Sequence, residues 1–108
     1  MPKIKNWSVL VDMYNEKTWS LDETRNTITY NISVKRIGFV KDKAWWELFL
    51  QEVKDGRIKG EHSLTKRNIM FTSKREAVDL AVKIMRQNPT IKDISKMWNG
   101  TDGITTTV

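Results

Sequence analysis

The sequence contains no cysteine and only one histidine, His62, among its 108 residues. The lack of cysteine excludes disulfide scaffolds, cysteine zinc sites, iron–sulfur clusters and cysteine nucleophiles. A single histidine excludes any site that needs two imidazole ligands. No apolar run approaches the length that crosses a membrane, and the first residues lack the long apolar core of a secretory signal. We therefore expect a cytoplasmic protein without a metal ion or a cofactor.

The usual motifs of catalysis are also missing from the sequence. There is no glycine-rich phosphate loop, no nucleophile elbow and no metal-loop spacing of carboxylates. His62 alternates with Ile58, Gly60 and Leu64, which is typical of a partly buried strand residue and not of a general base. Ser73 stands where a helix is expected to begin, so that a capping role explains it. The sequence predicts that the protein is not an enzyme.

Apolar periodicity predicts an α+β domain with an antiparallel sheet of three to five strands. The clearest strand covers residues 27–37, in which apolar and polar residues alternate. Further strands are predicted at 7–14, 44–53 and 57–64, and a short one at 69–71.

The segments between these strands carry turn signals. Residues 15–26 are mostly polar and predict a loop or a short helix, which Trp19 and Leu21 pin to the core. Residues 38–43 predict a turn. Lys54-Asp55-Gly56 predicts a hairpin, because glycine accepts the positive φ that such turns need.

Two helices are predicted after the strands. Ser73 and Glu76 form a capping-box pattern, and the apolar residues beyond them predict a main helix over residues 74–88 on one face of the sheet. A second helix at 90–98 is expected to cover the rest of its wide apolar arc. Residues 1–100 then form one domain and residues 101–108 a flexible polar tail. The expected contacts are Leu80, Ala81 and Ile84 on the main helix with Ile32, Trp46, Leu48 and Leu50 on the sheet.

The excess positive charge is concentrated in one part of the sequence. The formal net charge is +6, and residues 54–75 account for +5 of it, against +1 in residues 1–53 and zero in residues 76–108. A local basic patch is typical of a surface that binds phosphate groups. The alternative is a solvated surface that only keeps the protein in solution.

Two aromatic residues, Trp45 and Phe49, are predicted to lie on the open face of the sheet near Arg57 and Lys59. Aromatic rings beside cations on an open sheet are typical of proteins that stack on nucleic acid or read its shape. In the alternative interpretation, the first 26 residues cover both rings, since exposed tryptophan is costly.

These features predict a small basic protein that binds nucleic acid, double-stranded DNA ahead of RNA, through a basic sheet face and a hairpin. The alternative is a protein-interaction module, such as an adaptor or a viral inhibitor of a host complex, with an acidic protein partner. No membrane partner is expected. The predicted contact residues are Arg57, Lys59, Lys66 and Arg67 on phosphates, Lys35, Arg36, Lys54, Lys74 and Arg75 around them, and Trp45 and Phe49 on sugars or bases.

The opening segment, Met1-Pro2-Lys3-Ile4-Lys5-Asn6-Trp7, resembles the start of small archaeal proteins that begin Met-Pro-Lys-Ile-x-Asn-Trp. The segment from Phe71 to Pro89 resembles the helix entry and exit of the same proteins. The resemblance implies an archaeal or archaeal-virus source and no particular activity. The element order is also similar in outline to the three-stranded DNA-binding domains of tyrosine integrases and some plant transcription factors, which lay their sheet in the major groove.

Overall fold

A computed structural model describes residues 4–21, 28–40, 43–64 and 71–99, with the backbone alone for residues 39, 40, 43 and 44. The predicted domain boundary at residue 100 and the predicted tail lie outside the described residues. The secondary-structure elements are β1 (Trp7–Met13), β2 (Glu16–Leu21), β3 (Ile28–Val40), β4 (Lys43–Lys54), β5 (Arg57–Ser63), α1 (Lys74–Gln87) and α2 (Ile91–Asn99).

The five strands form one antiparallel sheet in the order β1-β2-β3-β4-β5, so that each strand pairs with its neighbours in the chain. Helix α1 packs against β3 and β4, and α2 packs against β3. The predicted α+β fold, an antiparallel sheet with a main C-terminal helix on one face and a short helix after it, is confirmed. None of the described helices has the length and apolar content that crossing a bilayer requires.

The strand β2 occupies part of the segment that the sequence predicts as a loop or a short helix. Trp19 and Leu21 are buried in the core. The side chains of Thr18 and Ser20 lie on the other face of the sheet, next to those of their partners on β3. The prediction that Trp19 and Leu21 attach this segment to the core is right, but the conformation is wrong. The segment is a strand because its side chains alternate between a polar face and an apolar face.

The two turns between the later strands differ in how well the sequence predicts them. The turn expected at 38–43 is shorter, because β3 and β4 remain paired as far as Val40 and Lys43. The hairpin between β4 and β5 is as predicted. Asp55 and Gly56 both have positive φ, 51° and 79°, which is the backbone of the tight turns that join twisted antiparallel strands.

Helix α1 begins and ends at side-chain caps. The Ser73 hydroxyl accepts a hydrogen bond of 3.2 Å from the backbone N–H of Glu76, which satisfies one of the helix's unpaired amide groups. At the other end, Asn88 Nδ2 donates to the carbonyl oxygen of Ile84 at 2.8 Å. Helix α1 therefore begins and ends where the sequence has its capping residues, Ser73 and Asn88.

The core lies between the sheet and α1. Ala77, Ala81 and Met85 are the fully buried residues of this helix, whereas Leu80 and Ile84 are partly buried at the edge of the core. The sequence prediction places Leu80 and Ile84 deeper than they are. Two alanines on the buried stripe allow the helix to approach the sheet closely, and Met85 fills the remaining space. The buried apolar side chains of β3 and β4 are Tyr30, Ile32, Val34, Trp46, Leu48 and Leu50.

Helix α2 lies over the sheet, close to β5. The ring of Trp98 contacts that of His62, with the centroids 3.8 Å apart, and lies 6.0 Å from the ring of Tyr30. Helix α2 does not cover all the apolar residues that α1 leaves outside the core, as the sequence predicts it to do. Val78 and Val82 line an open groove on the other side of α1.

The start of β1 is attached to the end of α1. Trp7 is buried, and its indole Nε1 donates to the carbonyl oxygen of Asn88 at 3.1 Å. Asn6, which has a φ of 66°, donates from Nδ2 to the carbonyl oxygen of Pro89 at 2.6 Å. These contacts join the start of the chain to the end of α1, and they give Asn6, Trp7, Asn88 and Pro89 a structural role.

Candidate interaction surface

The face of the sheet opposite the helices is here called the open face. Its central residues are Thr18 on β2, Asn31 and Ser33 on β3, and Phe49 and Gln51 on β4, which alternate along the chain with the core residues. Both described helices pack on the other face. The open face is therefore one of the surfaces that a partner can reach.

The centre of the open face is polar, but its polar groups are already satisfied. The hydroxyls of Thr18 and Ser33 lie 2.7 Å apart in a buried hydrogen bond. Asn31 Nδ2 donates to Gln51 Oε1 at 3.3 Å, and Gln51 Nε2 donates to Glu61 Oε2 at 2.8 Å. Such pairing stabilises the face and removes the need for an external hydrogen-bonding ligand.

Lys35 is the predicted site residue at the middle of this face, and it is paired within the chain. Its Nζ lies 3.2 Å from Glu61 Oε2 and 5.5 Å from the centroid of the Phe49 ring. Glu16 and Glu47 are its register partners on β2 and β4. Glu61 is therefore paired with this lysine, two more glutamates stand beside it on the neighbouring strands, and this part of the open face does not offer a positive surface to phosphates.

Trp45 and Phe49 lie on the open face, as predicted, and both are half-buried. The alternative, in which the N-terminal segment covers them, is wrong for the described part of that segment. Trp7 and Trp19 are buried in the core on the helix side, because β1 and β2 extend the sheet sideways and do not fold across it.

A β-bulge changes the side on which the predicted phosphate contacts lie. The register of β4 and β5 shifts between Glu52 and Val53, so that Val53 pairs with Ile58 and Lys54 pairs with Arg57. Ile58 is consequently on the open face and Arg57 on the opposite one. The prediction that Arg57 shares a face with Phe49 is wrong, because one extra residue in a bulge inverts the alternation that follows it.

Lys54, Arg57 and Lys59 are nevertheless close together and exposed at the end of the β4–β5 hairpin. Lys59 lies in the bulge. Asp55, in the turn between these strands, is the carboxylate nearest to them in the chain. This end of the hairpin, named here the hairpin cluster (Lys54, Arg57 and Lys59), is the part of the predicted basic surface that the structure brings together.

Two other predicted cations support the turn between β1 and β2. The guanidinium carbon of Arg36 lies 5.5 Å from the ring of Tyr14. Lys74 donates from Nζ to the carbonyl oxygen of Met13 at 2.6 Å and lies 5.8 Å from the ring of Trp46.

The predicted basic residues therefore do not form a single patch. Phe71, just before α1, bridges to Trp46 on β4, so that Lys74 and Arg75 lie near this end of the strand. Lys54 is at the other end, about 26 Å away for eight residues of extended chain. Arg75 is exposed, and the predicted contacts Lys66 and Arg67 lie outside the described residues.

The sequence predictions do not include an apolar surface on β1, which the structure shows. Val9, Leu10 and Met13 on this strand are 52%, 61% and 59% exposed, and Tyr14 in the following turn is 78% exposed. We call these four residues the apolar edge. The signal for it in the sequence is the short apolar stretch Val9-Leu10-Val11.

A trough crosses the open face between the two edge strands. It encloses a cavity of about 580 Å³ with Leu10 at one rim, Ser20 and Asn31 on the floor, and Val53 and Ile58 at the other rim. The floor is small and polar, and the rims are apolar. Of the four residues of the apolar edge, Leu10 alone lines this trough.

No cluster of three histidine, aspartate or glutamate side chains that could hold a metal ion occurs in the described ranges. The chain matches no model of a known protein family, no curated protein and no solved structure.

Proposed function

We propose that the protein is a protein-interaction module that binds its partner through the apolar edge. The observation that supports this proposal is the exposure of Val9, Leu10, Met13 and Tyr14, each more than half accessible within six consecutive residues. Contiguous exposed apolar side chains carry a free-energy cost in water, and they are typical of surfaces that a partner covers.

The backbone of β1 suits the same role. It is an edge strand that pairs with β2 on one side, and an edge strand offers unpaired N–H and C=O groups to an additional strand. A partner that binds in this way gains main-chain hydrogen bonds from the edge and burial of apolar side chains from the alternate positions.

The edge is also held in place before a partner arrives. Trp7 fixes its beginning to Asn88, and Lys74 binds the carbonyl oxygen of Met13 at its end. A rigid binding surface loses little conformational entropy on association. The formal net charge of +6 would favour encounters with an acidic partner.

The proposal is tested by capturing bound proteins with the full chain and two variants. Leu10→Lys places a charge on the apolar edge, and Ile58→Lys makes the same change at an exposed residue of the opposite edge strand. Proteins held by the wild type and by Ile58→Lys should be lost from Leu10→Lys, while circular dichroism shows equal folding. Equal capture by all three chains, or by none, would contradict the proposal.

A second candidate, binding of duplex DNA, is favoured by the hairpin cluster. Its three exposed cations lie within six residues of chain at the end of a rigid hairpin, where they could follow a phosphate backbone. In this version the contacts come from the end of the hairpin, and Lys35, Trp45 and Phe49 take no part.

A titration with duplex DNA at several salt concentrations tests this candidate. Replacing Lys54, Arg57 and Lys59 together by alanine should flatten the log–log salt dependence by about 2.7, or about 0.9 for each phosphate that the protein no longer neutralises. Arg75→Ala, about 26 Å away along β4, is the control and should change the slope by less than about 1. Absence of binding to duplex DNA, single-stranded DNA and RNA at low salt would eliminate this candidate.

A further inference from the structure

We infer that the partner of the apolar edge is a second copy of this chain, bound by antiparallel pairing of β1 with β1 across a two-fold axis. This inference rests on the proposed function, because it names the partner of the surface proposed there. The product is a dimer in which one antiparallel sheet continues through both copies.

The two edges of the sheet differ in their defence against such pairing. The strand β5 carries Arg57, Lys59 and Glu61 along its exposed length, and charges on an edge strand oppose the addition of another strand. The strand β1 has a single charged residue, Asp12, whose carboxylate lies 3.6 Å from Lys17 Nζ of the same chain. Only β1 therefore presents an edge without a row of charges.

The sequence of β1 is complementary to itself in the antiparallel direction. Around Leu10 the order is Ser8, Val9, Leu10, Val11, Asp12, which reads polar, apolar, apolar, apolar, polar from either end. A two-fold axis at Leu10 places Leu10 of one copy beside Leu10 of the other, with the apolar residues Val9 and Val11 of both copies next to them. A two-fold interface requires this property, since each patch must fit a copy of itself.

The charged residues of β1 do not oppose this arrangement. With the axis at Leu10, the two Asp12 residues lie on opposite sides of the axis along the strand direction, so the two carboxylates are not brought together. Like charges directly opposite each other on paired strands would be destabilising. The net charge of +6 repels two copies at long range, and this repulsion is reduced by salt.

The bulge in β1 directs apolar side chains to one side of the proposed interface. The register with β2 shifts between Val9 and Val11, and Leu10 and Ser20 line the same trough on the open face. Leu10 and Val11 are thus both on the open face. In the dimer, Leu10 and Val11 of one copy contact Leu10 and Val11 of the other on the open face of the continuous sheet.

The first test is the mass of the protein in solution as a function of concentration. Because one pair of short strands gives an interface smaller than the usual size, we expect sedimentation to show monomer near about 1 μM and dimer near about 1 mM, in 0.15 M salt or above. Leu10→Lys should stay monomeric at the higher concentration, and the control Ile58→Lys should dimerise as the wild type does. A wild type that is monomeric throughout, or a dimer that both variants form equally, would overturn the inference.

The second test uses the absence of cysteine from the chain, which makes a single introduced thiol the only one present. In Leu10→Cys the two thiols meet at the proposed axis, where the Cα separation of directly opposed strand residues, about 4.5–5.5 Å, suits a disulfide. Mild oxidation should give a covalent dimer of Leu10→Cys at concentrations at which Ile58→Cys gives little. Equal cross-linking of the two variants would contradict pairing at β1.

These measurements separate the two proposals. Suppose that the wild type is monomeric, and that another protein binds the wild type and Ile58→Lys but not Leu10→Lys. The partner is then not a second copy of this chain, and the proposal of an interaction module stands. If Leu10→Lys changes neither the mass in solution nor the captured proteins, both proposals fail.

Discussion

Replacing Trp7 by phenylalanine should lower the free energy of unfolding by about 2 kcal/mol, of which about 1 kcal/mol comes from the missing hydrogen bond and about 1 kcal/mol from poorer packing. The hydrogen bond is the one of 3.1 Å from the indole Nε1 to the carbonyl oxygen of Asn88. The packing loss follows from burial, because Trp7 is only 2% exposed and phenylalanine fills the site incompletely. In a chain of this size the change corresponds to a melting temperature lower by about 8 °C.

The matched control is the same substitution at Trp45, which is half-buried on the open face. Trp45→Phe should cost less than about 1 kcal/mol, since much of the ring already meets water. Urea denaturation followed by far-ultraviolet circular dichroism measures both free energies. A difference of less than about 0.5 kcal/mol between the two variants would mean that the hydrogen bond to Asn88 adds nothing to stability, contrary to this expectation.

Four further substitutions test the packing of the helices and the hairpin. Met85→Ala should cost about 3 kcal/mol and Ile84→Ala clearly less in urea denaturation, because Met85 is fully buried and Ile84 is not; the opposite order would contradict the observed buried stripe. Gly60→Ala places a Cβ 3.1 Å from Cη2 of Trp98, so it should cost about 1 kcal/mol and move the indole N–H resonance of that tryptophan, and an unchanged resonance would count against the contact. Gly56→Ala forces an alanine to a φ of 79° and should lower thermal stability by about 1 kcal/mol, whereas an unchanged melting temperature would mean that the turn relaxes.

The sequence predicted the elements whose pattern is local. The main helix follows from its caps, Ser73 and Asn88, and from apolar residues at helical spacing. The β4–β5 hairpin follows from Gly56. In both cases a short run of residues determines the backbone, so no knowledge of distant contacts is needed.

The sequence does not predict the strand β2, although its alternation is regular. Trp19 and Leu21 face the core and Glu16, Thr18 and Ser20 face the open side. The many polar residues suggested a loop, but a sheet whose open face carries a polar hydrogen-bond network also produces this composition. Which interpretation is correct depends on β3, whose Ser33 pairs with Thr18.

The surface was harder to predict than the fold. The bulge between the partners of Glu52 and Val53 places Arg57 on the opposite face. The alternation of apolar and polar residues in β5 does not indicate this bulge. The pairing of Lys35 with Glu61 joins residues 26 positions apart. The net charge of a segment depends on neither the bulge nor this ion pair. Counting charges along the sequence therefore predicted one basic patch, whereas the cations are separated in the structure.

The pairing of each strand with its neighbours in the chain has a consequence for the order of folding. All four strand pairs join consecutive segments, so each hairpin can form with little loop-closure entropy, and such local topologies fold fast. The contacts of Asn6 with Pro89 and of Trp7 with Asn88 instead span 83 and 81 residues. On a ribosome these contacts form only after α1 has emerged. Strand β1 is synthesised before the other four strands of this sheet but is the last to be fully secured, and its apolar edge is available to other chains throughout that interval.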